Sequence, residues 1–236
     1  MKFEKIVMDA CLAGAMALAC AQAFAAAGAV TQLSGTLAVQ SADGRIKLLS
    51  QKSEVATGDT LTTEKDSFAQ VKLSDGGLVT LKPNTRVKVD DYFFSDQQPD
   101  KDNMAYSLLK GGLRFVTGLI GKRGNKDAYK LGTATATIGI RGTAGGADDC
   151  TDEKNPCTNP ETKQSLPSGV YVNVTEGEIV VSNSAGSEVF GPGKFGLIAL
   201  NKPPISIPEN AAIPPFTPPS SFQGGTGGSG QECQVR

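Results

Sequence analysis

Between Thr133 and Thr143 the chain reads Thr-Ala-Thr-Ala-Thr-Ile-Gly-Ile-Arg-Gly-Thr, and no other stretch restricts the fold as tightly. Thr133, Thr135 and Thr137 alternate with Ala134, Ala136 and Ile138, the period of two that sends hydroxyls to one face of a strand and methyls to the other. The stretch therefore reads as a half-buried strand. Gly139 and Gly142 then flank Ile140 and Arg141. Their missing Cβ atoms permit a bulge, a turn with positive φ or a close backbone approach, with Arg141 projecting from the corner. A guanidinium so placed can tie loop carbonyls or a carboxylate together, so Arg141 is expected to be a structural anchor. Contact with an anionic ligand or partner is the alternative.

Short runs and tight turns recur along the rest of the chain. Leu33 to Val39 and Ile46 to Leu49 are strand-length and meet across Asp43-Gly44. Ser67 to Leu73 alternates cleanly, with Ala69, Val71 and Leu73 opposite Phe68, Gln70 and Lys72, and should bury one face. Asp75-Gly76 is a hairpin signal before Leu78 to Leu81, and Gly58-Asp59 is a turn before Thr60 to Thr63. Thr85 to Phe94, Gly169 to Thr175, Glu178 to Ser182 and Lys194 to Leu200 complete the series. With 28 glycines and an aromatic content of 6%, the chain suits many strands joined by tight turns, an all-β fold. Only Tyr106 to Ile120 leaves room for a short helix. The segment 148–168 is polar, holds Cys150, Cys157 and three prolines, and reads as a surface insertion. Seven of the thirteen prolines fall between Pro203 and Pro219, and Gly224 to Gly230 is flexible in composition, so 202–236 reads as an extended or disordered tail.

Lys2 and Lys5 precede an apolar run from Ala10 to Ala19, and Ala23-Phe24-Ala25 offers a small-residue cleavage site, so residues 1–25 read as a secretory signal peptide. A lipidated Cys20 is disfavoured, because Ala17 occupies the place where a large aliphatic residue is wanted. No other run is long and apolar enough to cross a bilayer, which makes the mature chain an exported, periplasmic protein by expectation. In an oxidising compartment Cys150 and Cys157, with six residues between them in a proline-rich loop, are expected to form a disulfide, leaving Cys233 as the odd thiol; a link from either to Cys233 is the alternative.

Charge and composition exclude several functions. A net charge of −1 provides no basic footprint for nucleic acid. Histidine is absent, which removes the commonest general base and metal ligand, so neither catalysis nor a metal or cofactor is expected. Gly191 to Gly196 satisfies G-x-G-x-x-G, but Pro192 and the strand-like residues that follow deny the helix N-terminus a pyrophosphate needs. Asp148, Asp149, Asp152 and Glu153 match no calcium-loop spacing and read as a solvated acidic loop. Asp59 and Asp75, each beside a glycine, read as turn formers rather than an acid/base pair.

Gly58 to Thr63, Ser74 to Gly77 with Leu78 to Leu81, Leu109 to Arg114 with Val116 to Gly118, and above all Thr135-Ala-Thr-Ile138-Gly139-Ile-Arg141-Gly142-Thr143 with Val174 to Glu178 resemble the FecR-domain pattern. The resemblance covers roughly Leu33 to Leu200 and places a single domain at 30–201. It implies a solenoid-like or jelly-roll-like β domain in the periplasm. Such domains are best known as the outer part of transmembrane regulators that carry signals from outer-membrane receptors to sigma factors. No anti-sigma segment or membrane span is legible, so only the exported domain carries over. The family supplies no catalytic residues, and the cysteine-bearing insertion is outside its pattern. The expectation is a non-catalytic module that binds an envelope protein or scaffolds envelope signalling. The alternative is a glycan-binding module for peptidoglycan or exported polysaccharide, which a polar face at Thr133, Thr135 and Thr137 would serve.

Overall fold

The computed structural model describes residues 26–159 and 162–222. The signal-peptide assignment at 1–25 and the thiol of Cys233 lie outside the described residues. Fifteen strands form one continuous sheet, in which every pairing is antiparallel except β9 with β10. Helix among the described residues is confined to three short 3-10 turns, and none is long and apolar enough to cross a membrane.

Three long strands organise the sheet: β9 (Asn103–Val116), β11 (Thr137–Asp149) and β12 (Val170–Asn183). Each serves two neighbourhoods. The first half of β9 pairs with β8 (Arg86–Phe93) and β10 (Tyr129–Gly132), and its second half pairs with β7 (Leu78–Leu81) and β11. β12 likewise pairs with β14 (Phe195–Ile198) in its first half and with β13 (Gly186–Phe190) in its second. The sheet therefore has two halves that share bent strands. One runs outward through β7, β6 (Phe68–Leu73) and β1 (Ala26–Ser34) to β4 (Glu54–Ala56). The other runs through β8, β5 (Thr60–Thr63) and β2 (Leu37–Gln40) to β3 (Ile46–Leu49). A single buried cluster takes Val71, Leu81, Leu113, Phe115 and Val172 from the first half and Leu61, Val87, Tyr106, Ile138 and Val181 from the second. The halves thus face each other across one core, as in a sandwich.

The bends sit at glycines in the left-handed region. In β11 the register with β12 slips between Arg141 and Ala144, where Gly142 has φ +60°. Opposite it Gly177 has φ +73°, and a Cβ there would stand 2.3 Å from the Gly142 carbonyl oxygen. Only glycine accepts that approach. The bulge re-aims both strands together.

Three sequence expectations need correction. Thr133 to Ala136 is the turn between β10 and β11 rather than a strand: the Thr133 hydroxyl accepts from the Thr135 and Ala136 N–H groups and donates to the Ala136 carbonyl. A threonine that bonds its own backbone competes with the ladder, and here it wins. Tyr106 to Ile120 holds no helix, because Met104, Tyr106 and Leu108 alternate inward along β9. The insertion begins later than Asp148, which lies at the end of β11 with its side chain in the protein. The extended reading of the tail holds over 202–222, where β15 (Ile205–Ile207) adds to β14 and Pro204, Ala212 and Phe222 are buried.

Candidate functional site

The residues of the family motif converge on the segment 117–123, which crosses the end of the sandwich. Asp75, in the hairpin between β6 and β7, has all of its polar atoms engaged and holds this segment with two of them. One carboxylate oxygen accepts from the Gly77 N–H (3.0 Å) and the other from the Ile120 N–H (3.0 Å), while the carbonyl accepts from Leu119 (3.0 Å). Its own N–H donates to the Tyr92 hydroxyl oxygen at 2.9 Å. Burial and then the nearby Asp75 charge push the Tyr92 phenol above its ordinary range. Gly76 (φ +87°) completes the turn.

Thr143 fastens the same segment to the bulge. Its N–H donates to the Thr117 hydroxyl (2.9 Å), and its carbonyl accepts from the Thr117 N–H (3.0 Å). Its hydroxyl donates to the Glu178 carbonyl (2.6 Å) and accepts from the Glu178 N–H (3.1 Å). The side chain thus replaces the ladder bonds that the bulge removes from β11 and β12. Arg141 stands beside it on the outer face. Its guanidinium donates to one Asp127 oxygen through Nε (3.0 Å) and Nη2 (2.7 Å), with Glu178 at 3.5 Å. The hydrogen bond and charge of Asp127 raise its pKa further. At 37% exposure this fork is an open surface clamp, and the buried version of the anchor expectation does not apply.

The remaining motif residues lie elsewhere. Gly58 (φ +89°) and Asp59 turn the chain into β5, where an Asp59 oxygen accepts from the Ala56 N–H at 2.9 Å. Ile138 is fully buried. Gly139 is ordinary strand, where an added Cβ would meet its nearest neighbour, the Val180 carbonyl, at 3.6 Å, so the freedom a glycine permits there is not used. Thr135 is buried in the β10 to β11 turn, and its hydroxyl has no partner among the described residues. Cys150 and Cys157 form a disulfide at the far end of β11.

Sequence reasoning missed three features. Arg123 is the better-buried arginine, 27% exposed. It bonds Asp102 (3.0 Å), itself 1% exposed, and the Ser95 carbonyl (3.1 Å), and lies 4.8 Å from the Phe94 ring centroid. Lys82 Nζ meets Asp148 Oδ1 at 2.6 Å with the two side chains 17% and 10% exposed, while Asp148 Oδ2 has no partner among the described residues. Burial raises the Asp148 pKa and Lys82 opposes that rise. Tyr106 and Tyr129 meet edge to face in the core, centroids 5.6 Å apart. Their hydroxyls influence each other, yet neither has a hydrogen-bond partner of good geometry among the described residues.

With this geometry in place, comparison with known proteins is direct. The model of the FecR protein family matches residues 59–180, just over half of the 236-residue chain, and the chain belongs to that family. Two solved structures of a candidate anti-sigma factor from Parabacteroides distasonis are similar at 15% identity, with TM-scores of 0.46 and 0.47, covering 64% of this chain. The chain spans 60% of the length of those structures. A cell surface anchoring domain is similar over 27% of this chain and 83% of its own, at 27% identity and a TM-score of 0.26. No curated protein matches.

Proposed function

We propose that this chain is a non-catalytic, periplasmic FecR-domain module that works in envelope signalling or assembly by binding a protein. The observation that carries the reading is the use of the motif itself. Both Asp75 oxygens, the Thr143 hydroxyl and the Arg141 fork hold main chain or neighbouring carboxylates, so the motif builds a frame and leaves no activated group for a reaction. The frame in turn presents sheet edges. Among the described residues β3, β4, β13 and β15 each pair on one side only, which leaves main-chain donors and acceptors for an added strand. Ile46 and Leu48 on β3 are both 72% exposed. The glycan alternative keeps only part of its surface: Thr137 is exposed on β11, but the Thr133 hydroxyl bonds its own backbone and Thr135 is buried.

The test is a photo-crosslinking amino acid at Ile46 or Leu48 in cells, combined with fractionation and sedimentation against purified peptidoglycan. The expected result is a discrete protein adduct in the periplasmic fraction, from a chain whose mass shows removal of about the first 25 residues, without co-sedimentation. Turnover of an envelope substrate, or a purely cytoplasmic chain, would sink the reading.

A further inference from the structure

The segment 203–222 has the features of a ligand held in place. It carries seven prolines and a single charged residue, Glu209, and proline keeps it extended before it binds anything. Its first part adds to a sheet edge, with Ile205, Ser206 and Ile207 opposite Leu197, Gly196 and Phe195 of β14. Two carboxamides read carbonyls within it and just before it: Asn159 Nδ2 donates to Asn210 at 3.0 Å and Asn183 Nδ2 to Lys202 at 2.8 Å. Its aromatic anchor is Phe216, whose ring lies parallel to Phe68 of β6 at 5.6 Å and 6°, with Lys82 Nζ 5.5 Å from the Phe216 centroid. An edge for main-chain pairing, donors for free carbonyls and an aromatic platform flanked by a cation are what recognition of an extended proline-rich peptide needs.

We propose that this surface is a docking site for an extended, proline-rich peptide carrying an aromatic residue, and that the tail is its intramolecular occupant, displaced when a partner segment of the same chemistry binds. The inference rests on the protein-binding reading above and names where and what the module binds. The occupant is suited to exchange. It is tethered through Asn201, at φ +56°, and two prolines, and its strand is three residues long, so it opens without unfolding the core. A site filled in cis binds a competitor with an affinity reduced by the fraction of time it is open. Weakening the tail therefore tightens binding in trans.

The experiment measures anisotropy of a fluorescein-labelled synthetic peptide of residues 203–222 with the full chain. The wild-type chain should bind weakly. Phe216→Ala in the protein, which frees the platform without altering it, should raise the apparent affinity about tenfold, the worth of one stacked aromatic contact. Phe68→Ala should abolish binding while the far-ultraviolet spectrum is kept, and an unlabelled peptide carrying Phe216→Ala should fail to compete. Should Phe68→Ala unfold, the competition arm decides alone. The proposal is overturned if Phe216→Ala in the protein leaves the affinity unchanged, or if the peptide without its phenylalanine competes as well as the parent. An envelope adduct at Ile46 that persists when this peptide fails to bind would leave the protein-binding reading standing and sink this surface, and peptide binding without an adduct at Ile46 would remove the β3 edge, not this surface, as the docking place.

Discussion

Removing Lys82 should expose how much the sandwich depends on one half-buried ion pair. Lys82→Met keeps the aliphatic stem but leaves Asp148 charged, 10% exposed, with Oδ2 already unpartnered among the described residues. Breaking a buried pair from one side costs about 3–5 kcal/mol, because the surviving charge is stranded. The 17% exposure of Lys82 admits some water and favours the lower end, while loss of the cation from the Phe216 ring adds about 0.5–1 kcal/mol. The expected loss is therefore about 3–4 kcal/mol near pH 7. Lys82→Met with Asp148→Asn removes the stranded charge and should return to within about 1 kcal/mol of wild type.

The pH dependence supplies a second, independent check. Burial holds the Asp148 pKa above its ordinary value of 3.8, and Lys82 is the group that opposes the rise, so the variant pushes it higher. With the folded pKa above the unfolded one, the folded state holds more protons in the window between them, and stability falls as pH rises through it. The penalty of Lys82→Met should thus be largest at neutral pH and shrink as pH falls toward the unfolded carboxylate range. Urea midpoints and m-values measured at both ends of that window decide the matter. A single variant losing under about 1 kcal/mol, a double variant no better than the single, or a penalty that grows in acid would refute the stranded-charge argument.

Arg123→Ala should cost about 3 kcal/mol by stranding Asp102, whereas Arg141→Ala, at an open clamp, should barely move the melting midpoint; reversed effects in thermal unfolding would show that the exposed fork carries the corner. Gly177→Ala should destabilise by at least about 1–2 kcal/mol, the penalty of a left-handed alanine, with the Gly142 carbonyl forced aside in addition. Above pH about 10 the unfolded chain ionises its tyrosines while buried Tyr106 and Tyr129 stay neutral, so stability falls by about 1.4 kcal/mol per pH unit for each. Tyr106→Phe with Tyr129→Phe should flatten that alkaline slope in denaturant titrations, and an unchanged slope would place its origin elsewhere.

What the sequence disclosed and what it hid divide along the range of the interaction. Ser67 to Leu73 was legible because alternation and burial coincide, and Ala69, Val71 and Leu73 all face the core. Asp43-Gly44 and Asp75-Gly76 were legible because each turn is decided by its own residues. Thr133 to Ala136 misled, because threonine and alanine carry a strand-like alternation whether or not the hydroxyl bonds the backbone beside it. Which arginine is buried depends on whether the loop 94–102 folds over Arg123, and nothing within a few residues of either arginine encodes that. Asp148 was read with the acidic loop that follows it because its partner, Lys82, enters from another strand.

The same distinction explains why the family was easier to recognise than the function. Gly142 and Gly177 face each other across β11 and β12 at the place where the sheet folds over, Thr143 restores the hydrogen bonds that the bend costs, and Asp75 holds the neighbouring segment 117–123. Those demands are set by the local backbone, so they fix residue types at fixed spacings and leave a pattern any reader can match. Partner choice imposes no such local demand. In the reading proposed above it rests on sheet edges, whose main-chain groups look alike for any strand, and on a surface assembled from Phe68, Lys82, Asn159 and Asn183, which chain order scatters and only the folded sandwich gathers around Phe216 and its neighbours. The proline-rich composition of 203–222 announces an extended segment, and an extended segment with a single charge has little reason to be there except to lie against something.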